Sequence, residues 1–335
     1  MPTYYLYGTI LTSEAVAANN RGDTLGNTTT LQKVFLGDDI HTSVSAESIR
    51  FAIRYRFQLQ DYKVNRSYDS SLGKLTDRDQ DRAGWDPADP EPFIDDDLMG
   101  FMNAKAAAQE GEGEEPESEV QEPEQPPAGK KPKGKPTKKK GTTKKRTSPL
   151  AVGRAISLRP YRGELSYNCV SGAKEKGALS LYAAEMHTTE YQYSFGLNLG
   201  DVVAKVNIAH LVDAIVDMPP VAGNHARFSY DFSPASVIFR LTSCHSPKFQ
   251  NCFDHDEKTR SYSLARLLSR VESDDVPAGE LIVGGLIAGT EWGSKLRESG
   301  ANVFDGVLKA AGEVKHRIAK LEGPYAVVDR KEVRS

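Results

Sequence analysis

The sequence predicts a mixed α/β (α+β) fold, and three observations carry that expectation. Around residues 43–57, Ile49, Ala52, Ile53 and Phe57 recur at i, i+3, i+4 and i+8, which marks the buried stripe of a helix. Leu150–Pro160 and Met186–Asn198 alternate with period two and read as strands. A second apolar face, formed by Val303, Phe304, Val307, Leu308, Ala311, Val314 and Ile318, predicts a long helix over Asn302–Leu321.

With 335 residues the chain is long enough to bury a large core. Its 43 basic and 46 acidic residues leave a net charge of −3, so the bulk balance selects no partner. Three cysteines, Cys169, Cys244 and Cys252, argue against a disulfide framework and for a reducing, cytoplasmic setting. The N-terminus lacks the basic and apolar regions of a signal peptide, and no apolar run approaches ~20 residues, so no membrane partner is expected.

Thr3–Val16 is rich in β-formers and reads as a strand. Ala17–Asn27 is a turn-prone loop whose Asn20, Arg21 and Asn27 suit a sugar–phosphate backbone, although by itself the segment reads slightly better as a plain connection. Thr28–Phe35 reads as a second short strand, followed by a polar loop that runs from Asp38 into the helix. Ser43 or Ser45 is available as N-cap, with Ser48 close by. Such a hydroxyl-rich helix start, with exposed N–H groups and the positive end of the dipole, suits a phosphate. Arg50 falls in its expected first turn, where the dipole prefers a carboxylate, so an anion nearby would explain it. Arg54 lies four residues on and shares that face. A capped core helix with solvated arginines explains the same residues.

Tyr62–Pro92 is polar and reads as an irregular excursion. Phe93–Asn103 predicts a helix with Asp95, Asp96 and Asp97 capping its first turn and Leu98, Met99 and Met102 on its apolar side. Gln109–Ser148 is the compositional outlier. An acidic block (Glu110–Glu124) precedes a basic one (Lys130–Arg146), with too little apolar surface to offset the entropy of ordering, so a disordered insertion is expected. In Leu150–Pro160, Arg154 interrupts a face of Val152, Ile156 and Leu158 and is a candidate contact. Tyr161–Tyr182, with Lys174 and Lys176 near its glycines, predicts a projecting hairpin. Met186–Asn198 puts His187, Thr189, Tyr191, Tyr193, Phe195 and Leu197 on one face, a pattern of core rather than of a base-stacking platform. Helices are expected at Val206–Met218 and Tyr262–Val271, and a strand at Ala235–Thr242. Ile282–Gly289 lacks the spacing of a dinucleotide or P-loop motif. Cys244, His245, Cys252 and His255 do not follow zinc spacing, so no metal or cofactor is expected.

Taken in order, several motifs combine: a strand, an Asn-Arg-Gly loop, Ser43-Val-Ser-Ala-Glu-Ser-Ile-Arg50, Asp95-Asp-Asp-Leu-Met-Gly100, Ser148-Pro-Leu150 with Ile156-Ser-Leu158, and His187-Thr-Thr-Glu-Tyr-Gln-Tyr-Ser-Phe195. In this order the chain resembles the DevR-type CRISPR-associated backbone subunits of type I (I-B-like) Cascade complexes, within the RAMP superfamily, from Tyr4 to about Leu321. Gln109–Ser148 has no counterpart in the pattern.

The resemblance implies a single hand-shaped domain over 1–335. Its RRM/ferredoxin-like palm would comprise 1–60, 93–108, 149–160, 183–243 and the C-terminal helices to about 321. A finger region would span 61–92, a β-hairpin thumb 161–182, and the disordered charged insertion 109–148. It further implies a non-enzymatic protein that forms a helical multimer on CRISPR RNA, presents it to target DNA and meets other Cascade subunits. The implied RNA contacts are Asn20, Arg21, Asn27, Ser43, Ser45, Ser48, Arg50, Arg54, Arg154, Arg159, Lys174, Lys176 and His187. Type III relatives cut RNA with an aspartate before this helix, a place Asp38 or Asp39 would fill. A metal-dependent ribonuclease and a general single-strand-binding protein are therefore the alternatives.

Overall fold

The computed structural model describes residues 3–18, 24–26, 28–104, 143–169, 181–222, 229–256 and 258–321. β1 (Tyr5–Thr12) leads to the short strands β2 (Ala15–Ala17), β3 (Thr24–Leu25) and β4 (Thr28–Thr29). β5 (Lys33–Leu36) and β6 (Asp39–Val44) form a hairpin that turns at Gly37, where φ is +63°. α1 (Ala46–Leu59) follows, then the hairpin of β7 (Arg66–Asp69) and β8 (Lys74–Asp77). Next come α2 (Ile94–Met99), β9 (Phe101–Ala104), β10 (Thr143–Arg146), β11 (Leu150–Val152) and β12 (Ala155–Pro160). β13 (Glu164–Cys169) pairs antiparallel with the first part of β14 (Leu181–Thr189), and β15 (Tyr191–Asn198) leads to α3 (Val206–Val216). The remainder is β16 (Pro234–Thr242), β17 (Asp254–Asp256), β18 (Ser261–Ser263), α4 (Ala265–Glu272), β19 (Leu281–Gly285), α5 (Glu291–Glu298), β20 (Asn302–Phe304) and α6 (Val307–Ala319).

One nine-stranded sheet organises these elements in the order β20-β19-β16-β1-β15-β12-β6-β5, with β11 also on β15. Its centre, β16-β1-β15-β12, is antiparallel and connected through α1 and α3 as a split βαβ pair, the ferredoxin-like arrangement. Leu6 and Ile10 of β1 face a core closed by α1, α3 and α6. Tyr7 and Leu11 face a second core closed by Phe249, Phe253, α4 and α5. The sheet is thus covered on both faces.

Double coverage explains where simple alternation fails. Met186–Asn198 is two strands broken at Glu190. Gln192 and Ser194, on the other face of that alternation, are buried and bonded to the loop above them: Gln192 Nε2 donates to the Phe253 carbonyl at 3.0 Å, and Ser194 Oγ accepts from the Asn251 amide at 3.0 Å. Tyr191, Tyr193 and Phe195 are core residues, as the period-two stripe led one to expect. Leu150–Pro160 breaks at Gly153–Arg154, which moves the buried phase to Ala155 and Ser157. Residues 302–304 form a strand rather than helix, and Leu308 is 71% exposed, because α6 begins only at Val307. Tyr262 likewise belongs to β18.

The α2 region departs most from expectation. The helix ends at Gly100, whose φ of +64° turns the chain into β9, so Met102 is a strand residue, 76% exposed, and not part of an apolar helix face. A Cβ at Gly100 would strike the Arg146 carbonyl oxygen. Asp95, Asp96 and Asp97 are buried instead of capping an exposed first turn. Asp95 accepts from the Asn65 and Arg66 amides (2.7 and 3.0 Å) and from Arg54 Nε (3.2 Å). Asp96 accepts from Asn65 Nδ2 at 2.6 Å and pairs with Arg82 at 3.3 Å. Asp97 accepts from the Val203 and Ala204 amides, Asn207 Nδ2 and Arg146 Nη2 at 2.9, 3.1, 2.9 and 2.7 Å. Consecutive helical side chains point in different directions, and here Asp95 and Asp96 share Asn65 while Asp97 holds the approach to α3 and Arg146.

Most of the expected insertion lies outside the described residues, but its last part does not. Thr143–Arg146 pairs with β9, and Arg146 reaches Asp97 and stacks over Trp85 at 4.4 Å. The insertion therefore ends before Thr143 and not at Ser148. Replacing residues 107–141 with a short Gly/Ser linker is expected to leave the thermal transition unchanged, because that composition offers no core. Extending the deletion through Ser148 is expected to lower it by removing Arg146 from buried Asp97. Equal melting temperatures for the two deletions would refute this boundary.

Candidate nucleic-acid interface

α1 begins one strand later than its polar lead suggested. Residues 39–44 form β6, and Ser43 is a buried strand residue. Ser45 is the N-cap, accepting from the Ser48 amide at 3.2 Å, with the Ser45 and Ser48 hydroxyls 3.0 Å apart. The expected stripe of Ile49, Ala52, Ile53 and Phe57 is buried. With Ala46 as the first helical residue, Arg50 falls in the second turn, so the first-turn argument for it does not apply.

Arg50 instead projects to the strand that crosses beside α1. Its Nη1 donates to the Leu150 carbonyl (2.9 Å), its Nη2 to the Met99 carbonyl (2.7 Å), and Ser148 Oγ lies 3.4 Å from both. Burial, reinforced by Arg54, lowers its pKa. Every one of these acceptors is neutral, so the guanidinium is fixed in place without an ion pair, with Glu47 the nearby opposing charge. Arg154 shows the same arrangement in an exposed setting, donating to Gln32 Oε1 (3.0 Å) and Ser43 Oγ (3.1 Å) close to the start of α1. Arg54 differs, because Asp95 neutralises it.

These residues border a groove of about 450 Å³ between α1, β8 and the α2–β9 turn. Arg50, Arg54 and Arg66 line it together with Phe51, Phe101 and Met102. Arg66, Phe51 and Phe101 went unnoticed in the sequence. Phe51 and Arg54 were legible as the exposed side of a helix, but nothing local shows that the 61–104 segment folds back over it.

At the base of the β13–β14 hairpin, Arg159 and His187 are held firmly. Arg159 makes a two-pronged contact with buried Glu190 (both 2.9 Å) and reaches Glu14 at 2.7 Å. His187 Nδ1 lies 2.8 Å from Thr42 Oγ1, with the Tyr161 ring edge-on to the imidazole. Asn20, Arg21, Asn27, Lys174 and Lys176 lie outside the described residues. Asp38 and Asp39 are exposed at the β5–β6 turn. The β6 strand, 6 residues long, separates them from the helix start by roughly 20 Å, whereas a loop would have let them approach it. His245 is taken up by Tyr5 (2.8 Å) and Cys252 is buried with its thiol pushed up to about 12, so no group of metal ligands forms among the described residues.

Two buried groups set opposing pH dependences. Burial pushes the Asp96 carboxyl up to about 6 and pulls His187 down to about 4. Between pH 4 and 6 native Asp96 keeps a proton that the unfolded chain has released, so its contribution to stability falls as pH rises. Between pH 4 and 6.5 the unfolded chain protonates His187 while the native state does not, so that contribution grows as pH rises. Urea unfolding of Asp96→Asn is expected to show stability rising across this window, and that of His187→Gln to show it falling. Slopes of the same sign in both variants would exclude this account.

A ferredoxin-like sheet, the β13–β14 hairpin and a groove beside α1 lined by arginines and carboxylates define an α+β protein. No family model matches the chain. It is 38% identical over 315 residues to the "CRISPR-associated protein Cas7/Cst2/DevR" of Myxococcus xanthus (strain DK1622), covering 91% of this chain and 95% of that one. The chain belongs to the Cas7/Cst2/DevR family of CRISPR-associated proteins, in agreement with the resemblance drawn from its motifs. Its fold is similar to a chain of a "CRISPR RNA-guided surveillance complex, pre-nicking", with a TM-score of 0.56 at 13% identity, covering 93% of this chain and 99% of that one. A chain of a second "CRISPR RNA-guided surveillance complex" gives 0.52 at 14% identity over 94% and 100%.

Proposed function

We propose that this chain is a CRISPR RNA-binding backbone subunit of a type I Cascade complex, multimerising along the guide and presenting it to target DNA beside the other subunits. The observation that carries the reading is the pair Arg50 and Arg154. Ion pairs neutralise Arg54, Arg56, Arg66, Arg82, Arg146 and Arg159. Arg50 and Arg154 flank the first turns of α1 with neutral acceptors only. In a chain of net charge −3, two guanidiniums fixed by neutral acceptors and free of ion pairs near a helix N-terminus suit a phosphate backbone. Family membership and the likeness to chains of RNA-guided complexes support the same reading. In this assignment Ser43, Ser45, Ser48, Arg50, Arg54 and Arg154 border the guide, and 61–92 and 161–182 are the finger and thumb.

Purifying the complex after nuclease treatment and sequencing the protected RNA tests it. Recovery of CRISPR RNA is expected, and a preparation free of RNA would overturn the assignment.

The chain is further proposed to lack nuclease activity. Phosphodiester hydrolysis needs an acid, a base or a metal at the scissile phosphate. Asp38 and Asp39 stand a strand's length from the helix start. Labelled RNA and DNA targets incubated with assembled complex in Mg²⁺ or Mn²⁺ should stay intact. Regular cuts that vanish in Asp38→Ala/Asp39→Ala would place this protein among the ribonucleases.

A further inference from the structure

The ends of β12 and β14, the start of β13 and the β17–β18 hairpin enclose a pocket of about 250 Å³. Arg159, Arg162, Arg260, His187, His255 and Glu164 form most of its wall. Some of this charge is already used. Glu190 and Glu14 bind Arg159, the Tyr262 hydroxyl donates to the same Glu190, and Thr42 holds His187. Arg260 is exposed, at a φ of +52° at the tip of the β17–β18 hairpin, and makes no ion pair among the described residues. The two amides before it, of Lys258 and Thr259, donate to Asp256 at 2.8 and 3.2 Å and fix that turn.

His255 supplies the second observation. It pairs across the hairpin with Tyr262, and both its ring nitrogens are buried with no hydrogen-bond partner among the described residues. A neutral imidazole must carry a proton on one nitrogen, and a buried N–H without an acceptor is destabilising. An anion between the ring and the arginines would supply that acceptor. Of the three arginines on the wall, Arg159 is held by Glu190 and Glu14, whereas Arg260 makes no ion pair among the described residues. The volume is below the range of about 300–1,000 Å³ typical of cofactor-sized ligands and suits a single phosphate group.

We propose that this pocket is a phosphate-binding site in which His255, after a turn of its ring, and Arg260 grip one phosphate, with Arg162 beside them. A nucleic-acid backbone phosphate is one source, which rests on the function proposed above, and free phosphate is the other. The site lies at the hairpin base, apart from the groove along α1.

The test follows the His255 ring resonances of the full chain by NMR, assigned through their loss in His255→Gln. Inorganic phosphate is added at constant ionic strength against chloride. A phosphate-specific shift in the wild type that disappears in Arg260→Glu is expected. No such shift, or one unaltered in Arg260→Glu, overturns the site. Single-stranded RNA then separates the sources. If Arg260→Glu weakens RNA binding about tenfold, the phosphate belongs to the strand. If RNA binding is unchanged while the phosphate response holds, the source is free phosphate. A wild-type chain that binds no RNA at all removes the functional reading, while the pocket is still judged by the phosphate titration.

Discussion

Asp97→Ala is expected to destabilise the protein by about 3–5 kcal/mol, the cost of removing one partner from a buried ion pair. Asp97 is 0% exposed and receives Arg146, Asn207 and the amides of Val203 and Ala204. Its loss would leave the Arg146 guanidinium largely buried without its carboxylate and strip the approach to α3 of its acceptor. Three elements distant in sequence meet at this side chain: α2, the β9–β10 ladder and the start of α3. Asp97→Asn keeps an acceptor for the amides but loses the charge, so an intermediate loss is expected. Urea denaturation checks both variants. A midpoint for Asp97→Ala within error of the wild type would show that the clamp contributes nothing.

Arg154→Glu is expected to weaken guide RNA binding on the order of a hundredfold, since it removes one charge-assisted hydrogen bond and adds a repulsive charge. Its side chain is exposed and held by two neutral oxygens, so the fold should tolerate the change. Arg154→Ala should lower the slope of log affinity against log salt by roughly 0.7 for each phosphate that is no longer neutralised. Arg50 separates charge from geometry. Arg50→Lys keeps the charge but cannot span the Met99 and Leu150 carbonyls, so it should cost about 1–2 kcal/mol of stability with the salt slope retained. Arg50→Glu would set a carboxylate against those carbonyls and should lose fold and binding together. Filter binding over a salt series, with thermal melts as the control for folding, distinguishes these outcomes. Wild-type affinity and slope in Arg154→Glu would remove Arg154 from the interface.

Features that repeat at short range could be read from the residues alone. The α1 stripe was legible because a helix returns the same face every three or four residues, and Ile49, Ala52, Ile53 and Phe57 lie where that period puts them. The hairpin after Tyr161 was legible from its turn residues, and the family from the order of several motifs along the chain. Partners, in contrast, were settled by long-range packing. Whether an arginine meets a carboxylate, as Arg54 and Arg159 do, or only neutral oxygens, as Arg50 and Arg154 do, depends on segments 31 to 122 positions away. The same holds for the three aspartates of α2, which read as caps because the segments they bind are not neighbours in sequence. It holds for Gln192 and Ser194, where a second layer over the sheet buried a face that alternation marked as polar. Periodicity records which side of an element avoids water. Charge compensation depends on which other element arrives there, and only the closed fold sets that.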